Sequence, residues 1–216
     1  MNAGALDTDI ITASYGRPLA WVYGKHVVSG NVILRDDSDP EYPVLFIALG
    51  EGEWDSVVTV GGQPQLWLNG SQLTAAEYHF HPGVDGQKSS EVPGHELDPV
   101  SIGGDNKVDL WFPTGVQRTT FSHTAYIAIR FNAGEIDPSD NDFRGIFKCR
   151  KCRIFDAGGE EIAYEYTENP AWQLVDLLTQ ARGLPDSAID FPSFKAAADY
   201  CDALITIEGQ QVKRFV

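Results

Sequence analysis

The chain has 216 residues, and its 16 Lys+Arg against 31 Asp+Glu give a formal net charge of −15. So acidic a chain lacks the basic face that binding to a phosphate backbone requires, which excludes broad nucleic-acid binding. Hydrophobic residues make up 43%, and no apolar run approaches the roughly 20 residues that span a bilayer. The segment from Met1 to Leu6 has neither a basic start nor an apolar core, so no signal peptide is expected. Three cysteines do not make a disulfide framework and favour a reducing compartment.

The first part of the chain is typical of strands and turns. β-branched and aromatic residues separated by glycines predict strands in the segments 21–34, 44–49 and 56–60. The charged segment 35–43 and the glycine-rich segment 50–55 predict turns. Residues 65–68 lead into Asn69-Gly70, which is a strong hairpin signal.

The middle of the chain combines a long loop with further strands. Residues 80–106 are mostly Gly, Pro, Ser, Asp and Glu, which predicts an exposed loop of functional interest. Strands are predicted over 108–112, 124–131 and 145–155, with an acidic turn region at 132–143. A tight hairpin turn is predicted at 156–160.

The pattern becomes helical at Asn169, a residue type that serves as an N-cap. Pro170 suits the first helical turn, and Gly183 follows the predicted end of the helix. An apolar stripe with helical spacing is formed by Trp172, Leu174, Val175 and Leu178. A second helix is predicted after Asp190, with one face made of Phe194, Ala197, Ala198 and Cys201.

The predicted fold class is α+β and mostly β. A β-rich body over residues 1–168, with its long loop at about 80–106, precedes a helical pair over 169–204. A returning strand pattern follows over 205–216. No internal repeat or low-complexity segment is present.

His79 and His81 are the most tempting metal ligands, because side chains at i and i+2 share one face of a strand. A cupin site would place a glutamate a few residues later, but the first glutamate is Glu91, and no second cupin box follows. A strand end entering a loop is therefore the favoured interpretation. No metal is predicted.

Cys149 and Cys152 form a C-x-x-C pattern, which in other contexts binds zinc or performs redox chemistry. Only Cys201 remains as a third sulfur, and a redox pair normally opens a helix, where the dipole lowers the thiol pKa. The pattern lies in a predicted strand, so two small strand residues are the favoured interpretation. Glu51 and Glu53 are likewise interpreted as turn residues, since a glycosidase needs carboxyls across a sugar cleft.

No catalytic constellation is present in the sequence. The chain has no G-x-S-x-G elbow, P-loop or dinucleotide-binding fingerprint, so no enzymatic activity and no cofactor are predicted.

Several segments resemble parts of phage tail proteins. Residues 14–24 (SYGRPLAWVYG) resemble the "YGxPIPxVYG" opening of many phage and prophage tail proteins. Residues 48–57, followed by Leu68-Asn69-Gly70, resemble the E-G and N-G segment of tail tip hub proteins. Residues 124–128 and 144–147 resemble two internal strands of that family.

The helical region is similar to the hallmark "NPAW…DLL…YCD" of the same proteins. Asn169 to Trp172, Asp176 to Leu178 and Ala198 to Asp202 match its three parts in order. The chain therefore resembles the host-specificity (tip attachment) protein J family of lambda-like siphophage tails, with related prophage and gene-transfer-agent proteins. The structural or interaction candidates are Trp54, Asp55, Asn69, Gly70, Asn169, Trp172 and Tyr200.

The resemblance implies a structural virion protein rather than an enzyme. Such hubs are usually trimers that close the distal end of the tail tube, join it to fibre or spike, and open for DNA passage. It implies other tail tip and tube proteins as partners, and a place in the tail tip after assembly in the bacterial host cytoplasm. The net charge of −15 suits the wall of a DNA passage that does not bind DNA, or alternatively maintains solubility.

The family's proteins usually continue well beyond the Y-C-D segment, whereas this sequence ends at Val216. It is expected to be an N-terminal hub portion or a separate tail component. Receptor binding, which belongs to the family's distal parts, is not carried over.

Two other hypotheses stay open. Five tryptophans and the 80–106 loop suit a carbohydrate- or receptor-binding β module of a tail. A metal-dependent hydrolase at His79 and His81 is the remote alternative.

Overall fold

The computed structural model describes residues 19–36, 43–85, 121, 123–130 and 142–215. The described residues are β-rich, with two short α-helices near the C-terminus, which confirms the predicted mostly-β α+β class. The predicted strand over 108–112 and most of the predicted 80–106 loop and 132–143 turn lie outside the described residues.

The strands are numbered in chain order. They are β1 Lys25–Val28, β2 Asn31–Asp36, β3 Val44–Glu51, β4 Trp54–Val57, β5 Thr59–Val60, β6 Gln63–Pro64, β7 Leu66–Leu68, β8 Ser71–Gln72, β9 Tyr78–His81, β10 Thr124–Arg130, β11 Phe143–Phe155, β12 Glu161–Tyr166, β13 Leu204–Ile207 and β14 Gln210–Lys213. The helices are α1 Pro170–Asp176, a π-helix Leu177–Ala181, a 3₁₀ turn Asp186–Ala188 and α2 Phe191–Asp202.

The chain divides into two compact units. The first consists of Met1–Trp21 and Val27–Phe147, and the second of Val22–His26 and Lys148–Val216. The body boundary predicted at residue 168 thus falls inside the second unit, which also contains the end of β11 and all of β12. The continuous strand β11 contributes residues to both units, and β1, β4, β7 and β12 all pair with it.

The first unit contains an antiparallel sheet in the order β2-β3-β10-β9. The strands predicted over 44–49 and 124–131 are confirmed as β3 and β10. Seven of the eight β3 residues are buried, because a central strand covered on both faces needs apolar side chains throughout. Gly50 permits a close approach here, since a Cβ at this position would clash with the ring of Trp54.

The predicted Asn69-Gly70 hairpin is confirmed between β7 and β8. Both turn residues have positive φ, 50° for Asn69 and 80° for Gly70, as a type I′ turn requires. The Asn69 Oδ1 accepts a hydrogen bond from the backbone N–H of Asp142 at 2.8 Å, and β7 pairs with the start of β11. The turn is therefore tied to the beginning of the longest strand.

The second unit contains the hairpin of β11 and β12 and the helices. The predicted turn at 156–160 is confirmed, and the Asp156 carboxylate accepts hydrogen bonds from the N–H groups of Gly158 and Glu160. Helix α1 begins as predicted, with Asn169 as N-cap and Pro170 in the first turn. Helix α2 begins at Phe191, after Asp190, whose side chain caps the helix by accepting from Ser193 N–H.

Two members of the predicted helix faces are wrong. Leu174 is 45% exposed, and Ala197 is exposed as well, so neither belongs to the buried face. The buried residues of α1 are Ala171, Trp172, Val175 and Asp176, and those of α2 are Phe191 and the predicted Ala198. The returning strand predicted from Ile205 is a two-stranded hairpin of β13 and β14, which turns at Glu208 and Gly209.

Candidate functional site

The side chain of Asn169 joins the two helices of the second unit. It is 1% exposed, and its Oδ1 accepts a hydrogen bond from Ala171 N–H at 3.0 Å. Its Nδ2 donates to the carbonyl of Ala198 at 2.9 Å and to Oδ2 of Asp202 at 2.8 Å. One amide therefore caps the start of α1 and holds the end of α2, which makes full use of its donor and acceptor groups. We call Asn169, Ala171, Ala198 and Asp202 the capping cluster.

Trp172 lies beside the capping cluster in the apolar core of the second unit. Its side chain is buried, and its ring lies 6.4 Å from that of Phe155, which in turn lies 4.4 Å from Phe191. Val175 and Ala198 complete the contact between the helices and β11. The large aromatic area removed from water here makes Trp172 a principal source of stability for this unit.

A buried ion pair links α1 to β11. The Arg150 Nε lies 2.6 Å from Oδ2 of Asp176, and the two side chains are 7% and 1% exposed. The hydroxyl of Tyr23 donates to the same Oδ2 at 2.8 Å. We call Tyr23, Arg150 and Asp176 the ion-pair triad. It joins the segment before β1, the middle of β11 and the end of α1 through one carboxylate.

The protonation behaviour of the triad follows from its burial. Burial raises the pKa of the Tyr23 hydroxyl, and the negative charge of Asp176 raises it further. For Arg150, burial by itself lowers the pKa, but the hydrogen bond and charge of Asp176 outweigh this effect and raise it. Tyr23 is therefore a neutral donor and Arg150 a cation around a shared acceptor. Among the described residues, Oδ1 of Asp176 has no hydrogen-bond partner.

A π-helix over Leu177–Ala181 follows directly after Asp176. Thr179, which is buried in this segment, donates its hydroxyl to the carbonyl of Val175 at 2.9 Å. Short π-helical turns widen a helix locally and often accompany functional residues. No pattern in the sequence predicted this turn.

An open cleft of about 440 Å³ lies beside the capping cluster. Its lining combines aromatic and charged residues and comprises Ile154, Glu165, Tyr166, Thr167, Glu168, Trp172, Lys195, Ala198, Asp199, Asp202 and Lys213. The Nζ of Lys195 lies 2.6 Å from Asp199, and that of Lys213 lies 2.6 Å from Asp202. Both lysines are thus already engaged by carboxylates of the cleft.

Asp202 takes part in both the cleft and the capping cluster. Burial by itself raises the pKa of Asp202, but hydrogen bonds from Lys213 and Asn169 outweigh this and lower it below its ordinary value. The carboxylate is therefore charged near neutral pH and connects α2, the cap of α1 and β14. The contacts of Asp202 are therefore structural, because its carboxylate holds these elements together.

The candidates of the first unit have structural contacts. Trp54 is buried, and its ring meets that of Phe147 edge-on at 5.7 Å. Asp55 accepts a hydrogen bond from the hydroxyl of Ser56 at 2.8 Å. Asn69 and Gly70 form the hairpin turn described above. None of these four residues lies in a unit with Asn169, Trp172 or Tyr200.

The two histidines lie side by side, as the strand pattern predicted. The rings of His79 and His81 are 4.6 Å apart, and His81 is buried and stacked on Tyr126 at 4.2 Å. Within the described parts of the chain, no group of three or more His, Cys, Asp or Glu side chains is placed to hold a metal ion.

Cys149 and Cys152 are buried free thiols in β11. Burial raises the pKa of each to about 12, so both are protonated near neutral pH. A protonated thiol is neither a nucleophile nor a good metal ligand. This agrees with their interpretation as small strand residues.

Tyr200 is a candidate whose aromatic side chain is exposed to solvent. Its ring lies 6.1 Å from that of Phe215, and the Arg214 guanidinium lies 4.2 Å from the Tyr200 ring centroid. Exposed apolar side chains continue from this point along the C-terminal hairpin. We call Tyr200, Leu204, Ile207, Val212 and Phe215 the hairpin patch. Strand alternation places Leu204 on the opposite face of the hairpin from Ile207 and Val212.

Neither the ion-pair triad nor the hairpin patch was predicted from the sequence. The sequence does contain a signal for the triad. Asp176 follows Trp172 by four positions and therefore lies on the same, apolar helix face. An acid on a buried face requires a cation, and the C-R-K-C strand supplies one. The sequence signal for the patch is weaker: a short, mostly apolar run over Leu204–Ile207 precedes the Glu208-Gly209 turn.

The comparisons leave the family undecided. No protein-family model matches the chain, and no curated protein matches it. The part of the chain that the structure describes contains no helix long and apolar enough to cross a membrane.

Proposed function

We propose that this protein is a structural subunit of a phage tail tip or baseplate hub. In this role it closes the distal end of the tail tube, connects it to fibre or spike, and lines a passage for DNA. We further propose that it assembles as a homotrimer with other tail tip and tube proteins as partners, at the tip of the virion tail.

The observation that carries the proposal is how the segments resembling the tail family pair with one another. Tyr23, from the V-Y-G segment, donates to Asp176 of the D-L-L segment across 153 positions of sequence. Asn169, from N-P-A-W, donates to Asp202 of Y-C-D across 33 positions. The motifs thus supply the connections that hold one unit together, which is the role expected of residues in a scaffold.

The chemistry of these residues supports a scaffold rather than a reaction centre. Within the ion-pair triad, Tyr23 and Arg150 both contact Oδ2 of Asp176. The Asn169 amide joins the capping cluster, and the buried thiols are protonated. The cleft lysines are paired with carboxylates. A net charge of −15 disfavours tight contact with passing DNA, since phosphates are repelled.

The test is solution mass measured by light scattering over a concentration series. We expect a mass that rises toward three times the 23.7 kDa of one chain, followed by ring-shaped particles in electron micrographs. A single-chain mass at every concentration would count against a self-assembling hub subunit.

A carbohydrate- or receptor-binding β module is the second candidate, and the exposed Tyr200 and Phe215 rings favour it. Such rings can stack on sugar faces, whereas Trp54 and Trp172 are buried and unavailable for stacking. A glycan panel followed by tyrosine and tryptophan fluorescence tests this candidate. A response that disappears in Tyr200→Ala would favour it, and a flat response across the panel would exclude it.

A further inference from the structure

The Asn69-Gly70 turn contains a chemically reactive pair of residues. When glycine follows asparagine, no Cβ hinders attack by the glycine backbone nitrogen on Cγ of the asparagine side chain. Among the asparagines of the sequence, only Asn69 is followed by glycine. Gly70 is exposed, and a Cβ built on it would meet no heavy atom of the described residues within 4 Å. Asn69-Gly70 is therefore the position at which this attack meets the least steric hindrance.

The fold holds this turn in place on two sides. Leu68, which is fully buried, pairs with Ser71 across the hairpin of β7 and β8. The backbone N–H of Asn69 donates to the carbonyl of Asp142 at 2.8 Å, and Oδ1 of Asn69 accepts from the N–H of Asp142 at 2.8 Å. The backbone and the side chain of Asn69 are thus both held against Asp142, directly before β11.

The geometry of the turn keeps the reacting atoms apart. Attack closes a nearly planar five-membered ring, so the nitrogen of Gly70 must lie close to eclipsed with Cβ of Asn69. The positive φ values of both residues assign a type I′ turn. In such a turn ψ of the first central residue is about +30°, which places the nitrogen of Gly70 nearly anti to Cβ of Asn69. The reaction therefore requires a rotation about the Cα–C bond of Asn69 that breaks the turn.

We propose that Asn69-Gly70 is a site of spontaneous deamidation that reacts only when the β7–β8 hairpin opens. In the open form a solvent base removes the N–H proton of Gly70, and the nitrogen forms a bond to Cγ of Asn69. The Cγ–Nδ2 bond breaks, and Nδ2 leaves as ammonia with a proton from water. Water then opens the succinimide ring at either carbonyl, which gives aspartate or isoaspartate with no oxidation or reduction.

The isoaspartate product does not fit the same hairpin. Its main chain runs through Cβ and Cγ, so the two-residue loop becomes one atom longer than the pairing of Leu68 with Ser71 accommodates. Both products also add a negative charge close to Asp142. Deamidation therefore converts a transient opening into a permanent loss of the contact between the turn and β11. The chemistry needs only a single chain and does not depend on the proposed function.

The first experiment compares the full chain in buffer with the full chain unfolded in guanidinium chloride, both at the same mildly alkaline pH. Peptide mass spectrometry measures the replacement of NH₂ by OH at Asn69. We expect the unfolded chain to react at least about 10-fold faster, because an open hairpin is a minor species of the native state. Asn169 is the internal control, since Pro170 has no N–H to act as nucleophile.

Two results of this comparison would overturn the proposal. Equal rates in the folded and unfolded chain would show that the turn does not control the reaction. An unfolded chain that stays unmodified at Asn69 would show that the site itself is not reactive. Either result leaves the hub proposal standing, and a monomeric protein leaves the deamidation proposal standing.

The second experiment separates the added charge from the longer main chain. Protein deamidated in the unfolded state is refolded, and ion exchange with peptide analysis isolates the isoaspartate form. The variant Asn69→Asp carries the same charge on an unaltered main chain and is the matched control. We expect the isoaspartate form to unfold at a lower urea concentration than Asn69→Asp. An isoaspartate form that unfolds together with Asn69→Asp would overturn the loss of the contact with β11.

Discussion

Asp176 offers the sharpest test of how the second unit is held together. Asp176→Asn keeps the shape of the side chain and removes the charge that faces Arg150. Because the two side chains are 1% and 7% exposed, water does not replace the lost partner. Two unit charges about 4 Å apart interact by about 4 kcal/mol at an effective dielectric constant of about 20. Breaking a buried pair by removing one member typically destabilises by about 3–5 kcal/mol, which is the loss we expect.

A matched control is available in the same unit. Asp186 pairs with Arg153 through two hydrogen bonds, Nη1 to Oδ1 at 3.0 Å and Nη2 to Oδ2 at 2.7 Å, but both side chains are accessible to solvent. Asp186→Asn is the same chemical change at an exposed pair, for which we expect no more than about 1 kcal/mol. Urea unfolding followed by circular dichroism measures both variants.

The double variant Arg150→Met with Asp176→Leu completes the experiment. Replacing both members of a buried pair by apolar side chains of similar volume is often neutral or stabilising, so we expect most of the loss to be recovered. If Asp176→Asn lowers the free energy of unfolding no more than Asp186→Asn does, the buried charge of Asp176 is not needed for stability. Arg150 would then be stable without its counter-charge.

Three further predictions concern the same unit. Trp172→Ala removes a buried aromatic side chain from the core of the second unit, so we expect a loss of about 3–5 kcal/mol in urea unfolding. Unchanged unfolding would show that α1 does not pack as described. Asn169→Ala removes a cap and two further hydrogen bonds, which should lower the free energy of unfolding by about 2–3 kcal/mol. The control Asp190→Ala removes an exposed cap and should lower it less. Equal losses would show that the contacts of Asn169 to α2 add no stability. The folded-state pKa of Tyr23 lies above its unfolded value of about 10, so its contribution to stability is complete below that pH and is lost as the pH rises further. The stability of wild type should therefore fall more steeply than that of Tyr23→Phe above about pH 10 when urea midpoints are compared, and parallel curves would contradict this.

Local signals predicted the elements of this protein well where each signal lies within a few residues. The N-cap and first-turn proline identified the start of α1, because capping depends only on adjacent backbone N–H groups. Asn69-Gly70 identified its hairpin because both residues tolerate positive φ. The apolar run of β3 indicated a buried strand for a similarly local reason. A strand that is covered on both faces of its sheet needs consecutive apolar side chains, and this run supplies them.

The errors arise where a partner distant in sequence decides the outcome. Leu174 fits the helical spacing, yet Asp176 takes the buried position because Arg150 and Tyr23 are there to neutralise and hydrogen-bond it. Ala197 likewise fits a helix face, but the face that packs on Phe155 begins at Phe191. Helix periodicity is compatible with several buried faces, and the element that packs against the helix determines which face is buried.

The sequence by itself determined the mostly-β α+β class, the turns at 69–70 and 156–160 and the helix caps, since these depend on residue type and short spacing. Tertiary structure decided which distant residues meet. It placed one carboxylate between Arg150 and Tyr23, one amide between α1 and α2, and an uncovered apolar hairpin at the end of the second unit. The physical reason is that burial and pairing are properties of contacts across the fold, and a linear pattern specifies a side chain but not its neighbour.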